Sequence, residues 1–98
     1  MDEAKLIEKL RRLEATDNDF ERNAVALDLT ETGDQRVFDA LVRLIQRPGL
    51  ENRRGTLVYC LENFDCSPVA DLLANLAETG NFEVATQAEI ILEEQALR

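Results

Sequence analysis

Residues 22–41 read Arg22-Asn23-Ala24-Val25-Ala26-Leu27-Asp28-Leu29-Thr30-Glu31-Thr32-Gly33-Asp34-Gln35-Arg36-Val37-Phe38-Asp39-Ala40-Leu41. On both sides of Gly33-Asp34 apolar residues recur at helical spacing: Val25 and Leu29 before it, Val37, Leu41 and Leu44 after it. Gly33 suits the left-handed residue just past a helix end. Asp34 is an N-cap type, whose carboxylate accepts from the free N–H groups of a first helical turn. The stretch therefore reads as helix, tight turn, helix.

Working outward, Asp17-Asn18-Asp19, Pro48-Gly49, Asp65-Cys66-Ser67-Pro68 and Gly80-Asn81 are further turn signals. Ser67 and Asn81 have N-cap chemistry, Pro68 sits where a missing N–H costs nothing, and Gly80 again suits a left-handed helix end. The spacing predicts six helices near 2–14, 19–31, 35–47, 51–63, 68–79 and 82–97, with no strand. Shifted by 31 or 32 residues, the chain falls on itself. Leu6-Leu10-Leu13 maps to Val37-Leu41-Leu44 and then to Val69-Leu73-Leu76. Val25 and Leu29 fall on Leu57 and Leu61, then on Ala88 and Leu92. A fixed period of this size marks a solenoid, in which each helix pair buries one face on its neighbour. The expected fold is all-α: one domain over 1–98, with three antiparallel helix pairs near 2–31, 34–63 and 66–97.

Arg22 through Leu29, Gly33-Asp34-Gln35-Arg36-Val37 and Ala40-Leu41 resemble the short HEAT-like repeat of prokaryotic proteins, which runs Arg, small residues, Leu, Gly-Asp, then Val and Ala-Leu. The second copy, from Arg54 to Leu61 with Val69 and Leu72-Leu73, has Asp65-Cys66 in place of Gly-Asp. The third has Ala85 where the arginine would stand. The resemblance implies a right-handed α-solenoid whose second helices line a concave face. The Trp and Tyr signatures of tetratricopeptide repeats are missing.

The 98 residues carry 20 acids and 11 bases, a net charge of −9, with no histidine, no tryptophan and two cysteines. That charge repels nucleic-acid backbones and anionic membranes, so neither is an expected partner. The charged start, Met1 to Leu10, has no signal-type apolar stretch, and the apolar run Leu57–Leu61 is too short for a bilayer. A cytoplasmic protein is expected.

Catalytic and metal chemistry finds few candidates. Without histidine there is no Ser-His or Cys-His couple and no imidazole ligand. Cys60 and Cys66 lie outside zinc-site spacing; Cys60 reads as a buried thiol, and Cys66, near a helix start, as one with a lowered pKa. Asp17 to Asp28 mimics a calcium loop, but Arg22 occupies the position that needs glycine. Ser67 behind Asp65-Cys66 resembles the prosthetic-group serine of acyl carrier proteins, with Cys66 and Pro68 breaking the motif. Glu62 with Glu93, or Asp39 with Asp71, are conceivable carboxyl pairs, though such acids usually lie on solvated helix faces. No cofactor, metal or enzymatic activity is expected.

The surface is more informative. Residues 1–49 hold 11 acids and 8 bases, whereas 50–98 hold 9 acids and 3 bases, and no Lys or Arg lies between Gly55 and Leu97. On a wheel of about 100° per residue, the even-numbered helices put Val25, Leu29, Leu57, Leu61, Ala88 and Leu92 on a core flank. The opposite flank carries Asn23, Thr30, Glu31, Asn52, Glu62, Asn63, Glu83, Thr86, Glu93 and Glu94. Within it, at equivalent positions, sit Leu27, Tyr59 and Ile90. These three form either an exposed apolar ridge or a contact between helix layers. In the first case Leu27, Glu31, Tyr59, Glu62, Asn63, Ile90, Glu93 and Glu94 make a partner-binding surface. The leading expectation is a non-enzymatic protein-binding module for a basic partner. Bacterial immunity proteins and antitoxins that occlude basic nuclease toxins share its size and charge. The alternatives are an adaptor or assembly factor, and a small acidic carrier or enzyme acting through Ser67 or Cys66.

Overall fold

Side-chain caps start four of the helices. Asp2 accepts from the Lys5 N–H, Asn18 from Glu21, Asp34 from Arg36 and Asn81 from Val84. The computed structural model describes residues 1–97, and those residues are all-helical with no strand. The order is α1 (Glu3–Ala15), α2 (Asp19–Thr30), α3 (Gln35–Ile45), α4 (Gly55–Leu61), α5 (Ala70–Thr79) and α6 (Phe82–Glu94), with a 3-10 turn over Ser67–Val69.

The differences from the expected boundaries have local causes. α4 starts four residues later than the pattern predicts and ends two earlier. Gly49, at φ +94°, turns the chain there, and its N–H donates to the Glu51 carboxylate at 3.0 Å. Buried Leu50 then anchors a tight turn closed by the Arg53 N–H on the Leu50 carbonyl. α6 stops at Glu94, short of residue 97, because Ala96 adopts a left-handed φ of 54°. The Leu97 N–H bonds back to the Leu92 carbonyl and that of Ala96 to Glu93, the pattern of a Schellman end. Ser67 is not an N-cap: its N–H and hydroxyl both donate to Asp65, and it begins the 3-10 turn itself. Gly33 is left-handed as expected, at φ 66°, but Gly80 is extended, at φ −71° and ψ 165°. Gly80 is needed for space: a Cβ there would lie 2.7 Å from both the Leu76 carbonyl oxygen and Val84 Cγ1.

α4 lies between α2 and α6; α1 packs on α2 and α3, α3 on α4, and α5 on α6. The molecule measures 37 × 26 × 16 Å, and the short dimension accommodates two helix layers at the usual spacing of about 8–10 Å. α3 and α5 do not pack on each other among the described residues. Between α4 and the 3-10 turn, the Phe64 ring fills space against Phe38 of α3, with centroids 5.6 Å apart. The core runs through Val37, Leu41, Leu44 and Ile45, then Leu57, Val58 and Leu61, then Leu73, Leu76, Ile91 and Leu92, all buried.

Two arginines join successive helices. Buried Arg22 of α2 donates to the Thr16 carbonyl at the end of α1 (2.8 Å) and to Asp19 (2.6 Å). Arg54, 32 positions on, donates to the Ile45 carbonyl at the end of α3 (2.9 Å). Each satisfies a carbonyl that a helix end leaves without an intrahelical donor.

Leu61 is fully buried at the end of the central helix. Leu61→Ala should cost about 2–5 kcal/mol through lost burial and a residual cavity. Urea denaturation followed by circular dichroism checks this, and parent and variant should each unfold in a single transition.

Candidate functional site

α2, α4 and α6 run in the same direction. At one end Asp19, Asn23, Gly55, Thr56, Asn81 and Glu83 line a shared polar depression of about 310 Å³, so the three N-termini lie together. The Glu83 side chain reaches over Gly55 and fills the space that a Cβ would take there. At the other end the carboxyls of Glu62, which caps α4, and Glu94, the last residue of α6, come within hydrogen-bonding reach. This parallel arrangement turns the sequence period into rows of side chains that cross the three helices.

The first row is apolar. Leu27, Tyr59 and Ile90 are 45%, 48% and 36% exposed, so they lie on the surface and not in a contact between layers. Leu27 and Tyr59 share an open groove of about 370 Å³ with Gly55, Thr56, Glu83 and Gln87. Ile90 follows Glu83 by seven residues and Gln87 by three, which places it on the same face of α6. On α4, burial of Leu57, Val58, Cys60 and Leu61 leaves Tyr59 as the outward side chain at mid-helix.

The second row is acidic and lies about one turn further along each helix. Glu31 caps the C-terminus of α2 and Glu62 that of α4, while Glu93 and Glu94 close α6. A helix C-terminus carries partial negative charge and favours a cation, so all three helices end against that preference. None of these acids joins an ion pair among the described residues. Hydrogen bonding to Glu94 holds the Glu62 carboxyl above its ordinary value, with burial and the Glu94 charge acting the same way. Asn63 is exposed, and its Nδ2 donates to the Cys60 carbonyl, so it also helps to end α4.

Some expectations need correction. The close carboxyl pair is Glu62–Glu94, not Glu62–Glu93. Asp39 and Asp71 lie on α3 and α5, which do not pack together, and Asp39 accepts instead from Gln35 Nε2 (3.2 Å). Thr30, placed on the solvent flank by the wheel, is buried with its hydroxyl donating to the Leu27 carbonyl. Residues 19–28 are helical, so the calcium-loop mimic does not form a loop. Cys66 does not have a lowered pKa. Burial pushes its thiol up to about 11, and its Sγ donates to the Leu61 carbonyl. Cys60 is likewise raised to about 11 by burial. Such thiols are poor nucleophiles near neutral pH. Among the described residues no group of three or more His, Cys, Asp or Glu is placed to hold a metal ion, and no helix is long and apolar enough to cross a membrane.

Two features went unread in the sequence. Phe20 and Phe82, at the starts of α2 and α6, are 89% and 87% exposed. The helical wheel could have found Phe20, which lies opposite Leu29 on α2. Gln95 clamps the chain after α4 to the end of α6: its Oε1 accepts from the Cys66 N–H (2.9 Å) and its Nε2 donates to the Phe64 carbonyl (3.0 Å). Nothing in the helical periodicity signals that contact.

The raised Glu62 value has a consequence for stability. Its folded pKa lies above the unfolded value, so its contribution is full below about pH 4.5 and is lost as pH rises through the folded value. Near neutrality the ionised pair opposes folding. Glu62→Gln should therefore raise the melting temperature at pH 7 by about 1–3 °C, a small effect because the pair is largely solvated. The gain should vanish by about pH 4. Thermal melts of parent and variant across this range check both parts.

No protein-family model, curated protein or solved structure matches the chain.

Proposed function

We propose that this chain is a non-enzymatic protein-binding module whose α2–α4–α6 face holds a basic partner protein. The observation that carries this reading is the pairing of the two rows. Leu27, Tyr59 and Ile90 expose apolar surface on three neighbouring helices, beside acids that end those helices with no ion-pair partner among the described residues. An apolar strip with a charged rim is the usual anatomy of a docking surface, and a central tyrosine is a common anchor. Uncompensated acids cost stability in the free protein and favour a cationic partner.

The architecture behind this face is read as a right-handed HEAT-like solenoid of three antiparallel helix pairs. Supporting that reading, Arg22 and Arg54 occupy equivalent repeat positions and both reach a carbonyl at the end of the preceding helix. In this reading the chain acts in the cytoplasm by occluding or organising its partner. An immunity protein or antitoxin that covers a basic nuclease toxin would use the face in the first way, and an adaptor or assembly factor in the second.

Capture of partners from the native host with the tagged chain, followed by binding kinetics at two salt concentrations, tests the proposal. Tyr59→Ala should speed dissociation roughly ten-fold, because a desolvated anchor acts mainly after docking. Glu62→Lys with Glu93→Lys should slow association and flatten its salt dependence, because long-range steering arises from summed charge. Glu78→Lys on α5, outside the face, should change neither. Unaltered kinetics in both face variants would remove this face as the docking site.

A further inference from the structure

The two rows are regular, and their regularity constrains what fits. α4 separates α2 from α6, so Leu27, Tyr59 and Ile90 come one from each of three side-by-side helices. Packed helices lie about 8–10 Å apart between axes, which sets the step of the row. The acidic row of Glu31, Glu62 and Glu93 repeats the step about one turn away along each helix. The face thus presents two parallel stripes, one apolar and one acidic, both running across the helices.

An α-helix advances about 10.5 Å in seven residues and returns those residues to nearly the same face. Its residues i, i+7 and i+14 can therefore meet one host helix each. A strand repeats its facing side chains at about 6.6 or 13 Å, neither of which matches the step. We infer that the occupant of this face is a basic amphipathic helix of a partner protein, lying across α2, α4 and α6. Its heptad-spaced apolar residues sit on Leu27, Tyr59 and Ile90, and a flanking arginine or lysine stripe sits over Glu31, Glu62 and Glu93. This inference rests on the proposed docking face and adds the form, orientation and spacing of what docks there.

Charge complementarity supports this occupant over a second copy of the chain. A second copy brings a further −9 of net charge to a face already rich in acids. A cationic helix instead brings its charges to the C-terminal ends of three helices, where backbone carbonyls and carboxylates favour them together. The raised Glu62 pKa fits this arrangement, since a guanidinium beside the Glu62–Glu94 pair relieves the repulsion between them.

The test uses a defined probe with the intact protein. A synthetic peptide of about three heptads carries leucine at one heptad position, arginine three residues after each leucine, and alanine and glutamine elsewhere. A second peptide differs only by a central proline, which breaks the helix. Calorimetric titration at low salt should show the helical peptide binding at least ten-fold more tightly than the broken one. Circular dichroism of the mixture should gain helical signal. Tyr59→Ala should weaken the helical peptide about ten-fold, and so should the Glu62→Lys, Glu93→Lys double variant. Equal affinity for the two peptides, with sensitivity to the face variants retained, overturns the helical occupant and leaves the acidic docking face standing. Binding insensitive to the face variants, or no binding of either peptide, overturns both.

Discussion

A buried guanidinium, that of Arg22, ties the first two helices together. It is 2% exposed, and it joins the end of α1 to the start of α2 through the Thr16 carbonyl and Asp19. A helix end leaves carbonyls without donors, and burying them unsatisfied costs about 1–3 kcal/mol each. One arginine satisfies such a carbonyl and also fixes where the next helix begins. Arg54 repeats the device one period later at Ile45. The third period has Ala85 instead, and there Gly80 lets α5 and α6 close directly, backbone against Val84. Two ways of closing the turn give the same outcome, in which α2, α4 and α6 start together at one end of the molecule.

That common start determines the chemistry of the exposed face. Helices aligned in direction and separated by one period carry equivalent residues at equal height. Leu27, Tyr59 and Ile90 therefore form a row, as do the glutamates that end the helices. α4 is the tightest case. Packed between α2 and α6 and covered by α3, it buries four of its seven residues and leaves Tyr59 facing outward at mid-helix.

Helix number, helix type and the core were legible in the sequence because each depends on spacing alone. Leu41, Leu61 and Leu73 follow from period and amphipathicity, and all three are buried. The missed features depend on contacts between distant residues or on backbone geometry. The short α4 results from the turn at Gly49 and Leu50, the end of α6 from left-handed Ala96, and the closeness of Glu62 to Glu94 from packing across helices. Ser67 shows a local competition: its sequence suited an N-cap, but the Asp65 carboxylate two residues earlier accepts both of its donors. The rows of the face were visible as equivalent positions, but their exposure was not, since a wheel gives direction and not depth.

The distribution of ion pairs explains why the acids of this face stay unmatched among the described residues. The bases cluster in the first half of the chain, and most of them are engaged there. Lys9 pairs with Asp28, Arg36 with Glu3 and Asp34, Arg43 with Glu14, and Arg22 with Asp19. The Arg36 contacts hold the Asp34 carboxyl down to about 2, which keeps the α3 cap charged through the mildly acid range. The stretch from Gly55 to Leu97 has no base with which to do the same for Glu62, Glu93 or Glu94. Moving one of these paired arginines across the molecule would strip a carboxylate in α1–α3 of its partner. Among the described residues no side chain compensates the acidic row. Salt screens the row weakly wherever the apolar stripe beside it is covered and dry, so burying Tyr59 and neutralising Glu62 are favourable together and less favourable apart.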